Sequence, residues 1–127
     1  MDSPASKPKV LMVDDDWVSR KLISYSLEVG GYEVHTLENS LDTVQVARDL
    51  NPSLILLDLM MPMKSGYTTL LELKAEDDLK TIPVIIMSAK SQDDEIQSCL
   101  DSGAADYLVK PVGLKELHAR LKGLLEK

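Results

Sequence analysis

Five short apolar segments alternate with helical patterns along the chain, and this alternation constrains the fold more than any other feature. The predicted strands cover residues 9–14, 32–37, 53–58, 83–88 and 105–110. Between and after them, apolar residues recur every three or four positions, as they do in helices that bury one face. Regular alternation of strands and helices predicts an α/β domain whose parallel sheet is covered by helices on both faces.

The residue types of these segments predict the order of the strands. Segments 9–14, 53–58 and 83–88 contain continuous apolar runs, as strands buried on both faces of a parallel sheet do. Segment 32–37 alternates between apolar and polar residues, which favours an edge position. With right-handed crossovers, these features predict a doubly wound, flavodoxin-like, five-stranded sheet of order 2-1-3-4-5. In such sheets, ligands bind beyond the carboxyl ends of the strands where the winding reverses, here between strands one and three.

The helix predicted at residues 17–29 shows the helical pattern clearly. Its apolar residues recur at intervals of four, three and four: Val18, Leu22, Tyr25 and Val29. This spacing predicts an amphipathic helix with that stripe as its apolar face. Ser40 is expected to cap the second helix, and Cys99, on the apolar stripe of the fourth helix, is expected to lie in the core.

Length and composition limit the possible classes of protein. The 127 residues suit one domain, expected at 9–127 behind a loose tail at 1–8. The net charge of −7, with no concentration of basic residues, argues against direct nucleic-acid binding. No apolar run is long enough for a membrane span. The single cysteine excludes an internal disulfide and suggests the reducing cytoplasm, and the polar start and charged end suggest a natural chain.

Polar side chains stand at the carboxyl ends of four predicted strands. In chain order they are Asp14, Asp15 and Asp16, then Asp58, then Ser88, and finally Lys110. Because the strands are parallel, these ends meet at one rim of the sheet. Carboxylates from two neighbouring strands can hold Mg2+, which prefers oxygen ligands and keeps several waters. The metal would offset the repulsion among the acids, which is about 4 kcal/mol for a pair at ~4 Å.

The groups beside the expected metal suggest phosphoryl chemistry. The Lys110 ammonium and the Ser88 hydroxyl, together with the metal, can bind the oxygens of a phosphoryl group. Asp58 is the acid best placed to attack phosphorus and form an aspartyl phosphate. Asp16 can either join the metal site or cap the first helix.

Four motifs in their order and spacing resemble one family. They are V-D-D-D at 13–16, D-L-M-M-P-M-K-S-G at 58–66, M-S-A at 87–89 and K-P at 110–111. Together they resemble the receiver domains of two-component response regulators across residues 8–126. The resemblance implies that Asp14 and Asp15 bind Mg2+ and that Asp58 is the phosphoacceptor.

The same resemblance implies further roles. The backbone carbonyl of Met60 is implied as a metal ligand, and Ser88 as the hydroxyl that responds to phosphorylation. Lys110 is implied as the lysine of the site, joined to Pro111 by a cis peptide bond. Tyr107 is implied as the aromatic switch, which turns inward when the hydroxyl moves.

The implied function is phosphorylation-controlled signalling. A histidine kinase or histidine phosphotransfer protein would donate the phosphoryl group to Asp58. The surface of the fourth helix, fifth strand and fifth helix would then change its affinity for a downstream protein. No turnover of external substrates is expected.

Other functions compete with this one. The chain could be a receiver cut from a larger regulator, or a shuttle in a phosphorelay. A phosphatase of the haloacid dehalogenase type is less favoured, because its second aspartate is replaced by Met60. A flavin or nucleotide binder would need a phosphate-receiving loop after strand one, where the acids repel anions. A scaffold without phosphorylation is disfavoured by the complete set of acids, hydroxyl and lysine.

Overall fold

The computed structural model describes residues 7–126. Of the tail predicted at 1–8, residues 1–6 lie outside this part. The elements are β1 (Lys9–Val13), α1 (Trp17–Val29), β2 (Glu33–Leu37), α2 (Thr43–Leu50), β3 (Leu54–Asp58), α3 (Gly66–Ala75), β4 (Val84–Ser88), α4 (Asp93–Asp101), β5 (Asp106–Val109) and α5 (Leu114–Leu125). The longest of the described helices has 13 residues, against the ~20 that a membrane span requires.

The five strands form one parallel sheet in the order β2-β1-β3-β4-β5. This confirms the predicted fold class and strand order. Every residue of β3 and β4 is buried, whereas all residues of β2 are exposed or partly exposed. The apolar runs therefore occupy the centre of the sheet and the alternating segment lies at its edge, as hydrophobic burial requires.

Alternation along the strands divides the core into two layers. One layer packs strand residues such as Leu11 and Ile55 against α2, α3 and α4. The other packs Val10 and Leu56 against α1 and α5. Cys99 is buried in the first layer, which confirms the prediction made from its helical stripe.

The predicted apolar face of α1 is wrong. All four residues of the stripe are exposed, namely Val18, Leu22, Tyr25 and Val29. The helix instead buries Ile23 and Leu27 against the sheet and α5. Apolar residues lie on two sides of this helix, and spacing alone does not tell which side meets the sheet.

The predicted cap of the second helix is also wrong. Helix α2 begins after Asp42, and the Ser40 side chain is buried before it. The Ser40 hydroxyl donates a hydrogen bond to the backbone carbonyl of Lys64. Ser40 therefore connects the loop before α2 to the loop before α3, instead of satisfying a free helix N–H.

Candidate functional site

The predicted acidic residues meet at the carboxyl ends of two neighbouring strands. Asp14 follows β1 and Asp58 ends β3, and the register pairs Val13 with Leu57 just before them. Asp15 is the next residue, and one carboxylate oxygen from each of Asp14, Asp15 and Asp58 lies within 4.8 Å of the others. Asp14 and Asp58 are buried, whereas Asp15 is exposed. These three carboxylates, called the acid cluster below, therefore open to solvent on the side of Asp15.

Lys110 brings a positive charge to the acid cluster. Its Nζ atom lies 2.9 Å from Oδ2 of Asp14 and 3.4 Å from Oδ2 of Asp58. The backbone N–H of Lys110 donates to the carbonyl of Ser88 at 2.7 Å, and its peptide bond to Pro111 is cis. The loop after β5 is thus held against the end of β4, with the ammonium between the two buried acids.

Burial and repulsion change the protonation of the site. Burial, with the neighbouring Asp14 carboxylate, raises the pKa of Asp58 to about 7, although the charge of Lys110 acts in the opposite direction. For Lys110, burial favours the neutral amine, but the two carboxylates prevail and raise its pKa. The lysine therefore stays charged, while Asp58 binds a proton more readily than an exposed aspartate.

The chemistry of the acid cluster fits a hard divalent cation. All three side chains offer carboxylate oxygens close enough to share one ion, and Mg2+ is held in proteins by one or two carboxylates with waters. A bound cation would also favour the ionised form of Asp58, against the burial and the neighbouring Asp14 that raise its pKa. The backbone of Met60 lies beside the cluster, since its N–H donates to Oδ1 of Asp58 at 3.1 Å.

Asp16 lies outside the acid cluster and caps a helix. Its side chain accepts hydrogen bonds from the N–H of Val18 at 3.1 Å and the hydroxyl of Ser19 at 2.8 Å. The bond from Ser19 lowers the pKa of the Asp16 carboxyl. Of the two roles considered for Asp16, the geometry favours the cap of α1.

Ser88 and Tyr107 are linked through one residue. Ser88 is buried at the end of β4, and its hydroxyl accepts the N–H of Lys90 at 3.1 Å. Tyr107 is also buried, and its hydroxyl donates to the carbonyl of Lys90 at 2.8 Å. The Tyr107 ring therefore points inward, with its hydroxyl on the loop that follows Ser88.

Comparison with known proteins identifies the family. The pattern of the response regulator receiver domain matches residues 10–122. The chain belongs to the response regulator receiver family. This confirms the resemblance found in the sequence motifs.

The receiver domain is similar in sequence to transcriptional regulators. It is 39% identical to the DNA-binding dual master transcriptional regulator RpaA of Synechocystis sp., with 94% of this chain and 50% of RpaA covered. It is 40% identical to the phosphate regulon transcriptional regulatory protein PhoB of Pseudomonas aeruginosa, with 93% of this chain and 52% of PhoB covered. The chain thus spans about half the length of these curated relatives.

Solved receiver structures share the fold. The chemotaxis protein CheY4 of Vibrio cholerae is 27% identical, with a TM-score of 0.88, 94% of this chain and 99% of CheY4 covered. The receiver domain of the sensor histidine kinase PA1611 of Pseudomonas aeruginosa is 27% identical, with a TM-score of 0.87, 95% of this chain and 99% of that chain covered. The PA1611 structure has a magnesium ion coordinated in its active-site cleft.

The sequence pattern does not reveal the contacts of two residues at this receiver site. Arg20 of α1 donates to the carbonyl of Asp14 at 2.8 Å and so holds the backbone of the acid cluster. Its place about one helical turn after Asp16 is the only sequence signal for this role. Gly66 begins α3 directly against β3, where a Cβ atom would overlap the carbonyl oxygen of Asp58. The close approach, not backbone flexibility, explains this glycine.

Proposed function

We propose that this receiver domain accepts a phosphoryl group on Asp58 from a phosphohistidine donor and thereby controls a contact with another protein. One observation carries the proposal: carboxylates from two strands and an ammonium from a third segment converge at one rim. The three acids lie within 4.8 Å of one another, and Lys110 lies 2.9 Å from Asp14. An arrangement of this kind can receive a phosphoryl group and neutralise its charge.

Transfer of the phosphoryl group from phosphohistidine to Asp58 needs no further reactant. A carboxylate oxygen of Asp58 forms a bond to phosphorus as the phosphorus–nitrogen bond of the donor breaks, and the electron pair returns to the imidazole. The Lys110 ammonium neutralises negative charge on the phosphoryl oxygens. Asp14, Asp15 and Asp58, with the carbonyl of Met60, would hold Mg2+, which when bound offsets the charges of the carboxylates and phosphoryl oxygens.

The hydrogen bonds around Lys90 support a route from Asp58 to the surface. A phosphoryl group on Asp58 would offer new acceptors to the hydroxyl of Ser88. Because Ser88 and Tyr107 both bond to the backbone of Lys90, movement of Ser88 would disturb the bond of Tyr107. The surface of α4, β5 and α5 would then change its affinity for a downstream protein.

The proposed partners are proteins. A histidine kinase or histidine phosphotransfer protein would donate the phosphoryl group, and formation and hydrolysis of its own aspartyl phosphate would be the only chemistry. RpaA is named as DNA-binding, but the net charge of −7 supports a protein target for this chain over direct contact with DNA. The chain could also be the receiver domain of a larger regulator, since RpaA and PhoB are each about twice as long as the part that it matches.

Acetyl phosphate tests the acceptor directly. The protein is incubated with acetyl phosphate and Mg2+, and the intact mass is measured under acidic conditions. We expect addition of one phosphoryl group to the wild type and none to Asp58→Asn. Labelling of Asp58→Asn to the same extent as the wild type would show that another residue is the acceptor.

Asp16→Asn is the matched control. It removes the same charge one residue from Asp15, but Asn also caps helices well, and Asp16 lies outside the acid cluster. This variant should be labelled at a rate close to that of the wild type. A second arm replaces Mg2+ with EDTA, which should slow the labelling of the wild type strongly.

A further inference from the structure

Helix α1 has apolar residues on two opposite sides. Ile23 and Leu27 face the core and are buried. On the other side, four large apolar side chains are more than half exposed: Val18 at 62%, Leu22 at 53%, Tyr25 at 69% and Val29 at 71%. Single exposed apolar residues are ordinary, but a continuous stripe of them marks a contact surface.

The exposed stripe has the geometry of a helix-packing seam. At 3.6 residues per turn, its four side chains project within about 60° of one another along the whole helix. Intervals of four, three and four are those of the a and d positions in helices that pack side by side. The best-matched surface is therefore another helix with the same spacing.

Two charged residues beside the stripe indicate what kind of partner helix would fit it. Lys21 and Glu28 flank the stripe on the same side, one near each end, and both are exposed. Neither side chain makes an ion pair with any residue in the described range. One side of the seam thus carries a positive charge towards its start and a negative charge towards its end.

We propose that α1 packs antiparallel against α1 of a second copy of this chain. Because the intervals read the same in both directions, Val18 of each copy meets Val29 of the other, and Leu22 meets Tyr25. The same two-fold arrangement brings Lys21 of each copy near Glu28 of the other. The contact is self-complementary, as an interface with two-fold symmetry must be.

Charge complementarity favours this arrangement over the parallel one. In a parallel pair in register, Lys21 of one helix faces the position of Ser26 in the other, and Glu28 has no cation opposite it. The antiparallel pair therefore satisfies both charges twice, while the parallel pair satisfies neither. A second copy of the chain necessarily carries the same two charges, so the two-fold arrangement forms both ion pairs at once.

Sedimentation equilibrium of three charge variants tests the pairing. The wild type should form dimers in a concentration-dependent manner from the micromolar range upward. Lys21→Glu and Glu28→Lys should each weaken dimerisation by about tenfold, because each makes two symmetric pairs repulsive. The double variant swaps the two charges and should regain dimerisation to within about twofold of the wild type.

Two controls separate the seam from general effects of charge and folding. Lys115→Glu reverses an exposed charge on α5 and should leave dimerisation unchanged. The single tryptophan, Trp17, lies at the start of α1 on the side of Lys21, so its fluorescence should shift to shorter wavelength as the dimer forms. Far-UV circular dichroism should be the same for all variants, since the substituted residues are exposed.

The dimerisation of the wild type and of the charge variants can support or overturn the antiparallel pair. Weakening by each single reversal with recovery in the double variant supports the antiparallel pair. A wild type that stays monomeric to near-millimolar concentration overturns it and leaves the stripe to another protein. The proposal is also overturned if the single charge reversals leave dimerisation unchanged, or if the double variant dimerises as weakly as the single variants. None of these measurements involves phosphorylation, so the result is independent of the function proposed for Asp58.

Discussion

Replacing Asp58 with Asn should stabilise the metal-free protein at alkaline pH. Asp58 is 4% exposed, and burial beside Asp14 raises the pKa of its carboxyl from 3.8 to about 7. A difference of roughly three pKa units corresponds to about 4 kcal/mol, which is the most that ionising this carboxyl can cost the folded state. Because Lys110 loses one of its two carboxylate partners in the variant, we expect a net gain of about 2 kcal/mol.

The sign of the pH dependence follows from the direction of the shift. The folded protein binds a proton on Asp58 more tightly than the unfolded chain does. The stability of the wild type therefore falls, relative to that of Asp58→Asn, as the pH rises from about 4 to about 7. Near pH 4 both side chains are neutral in the folded state, so the two proteins should differ little in free energy of unfolding. Above about pH 7 the stability advantage of Asp58→Asn should reach its full size.

Urea denaturation in EDTA across this pH range measures the effect. The free energy of unfolding is obtained for the wild type, Asp58→Asn and Asp16→Asn from the linear dependence on urea. Asp16 is an exposed cap with a lowered pKa, so Asp16→Asn should not become more stable than the wild type at high pH. Saturating Mg2+ should reduce the advantage of Asp58→Asn, because the ion stabilises a folded state with an ionised acid cluster. A constant difference between Asp58→Asn and the wild type from about pH 4 to 8 would refute the reasoning.

Three further predictions concern neighbouring positions. Gly66→Ala should lower the free energy of unfolding by more than about 3 kcal/mol, since the new Cβ overlaps the carbonyl of Asp58; a loss near 1 kcal/mol in urea denaturation would contradict this. Lys110→Met should destabilise the protein by about 3 kcal/mol at neutral pH, because it leaves the buried Asp14 carboxylate without its cation; thermal denaturation with no change would contradict it. Burial raises the pKa of the Cys99 thiol, so a thiol reagent at neutral pH should modify it at least about 100-fold more slowly than in urea, and comparable rates would contradict its burial.

The prediction of the fold rested on how many faces each strand buries. Residues 54–57 and 84–87 are apolar throughout, and they lie in the fully buried strands β3 and β4. The alternating segment 32–37 became the edge strand β2. Burial on two faces leaves a different residue pattern from burial on one, so the sequence distinguishes the central strands of the sheet from this edge strand.

The candidate site was predictable for a related reason. Parallel strands end at one rim, so acids placed after strands one and three had to approach each other once the strand order was known. The same argument predicts that Lys110, after strand five, lies at the rim. It does not predict the 2.9 Å contact between Lys110 and Asp14 or the hydrogen bonds that join Ser88 and Tyr107 to Lys90. Those contacts depend on loop conformations that no residue pattern specifies.

The sequence by itself determined the order of elements, the strand order and the residues that gather at the rim, because burial and chain connectivity act on patterns that are local. Only the tertiary structure decided which side of α1 meets the sheet, whether Asp16 joins the acid cluster, and how far the pKa of Asp58 rises. Each of these depends on which groups from distant segments surround a residue. Packing and desolvation exist only once those segments are brought together.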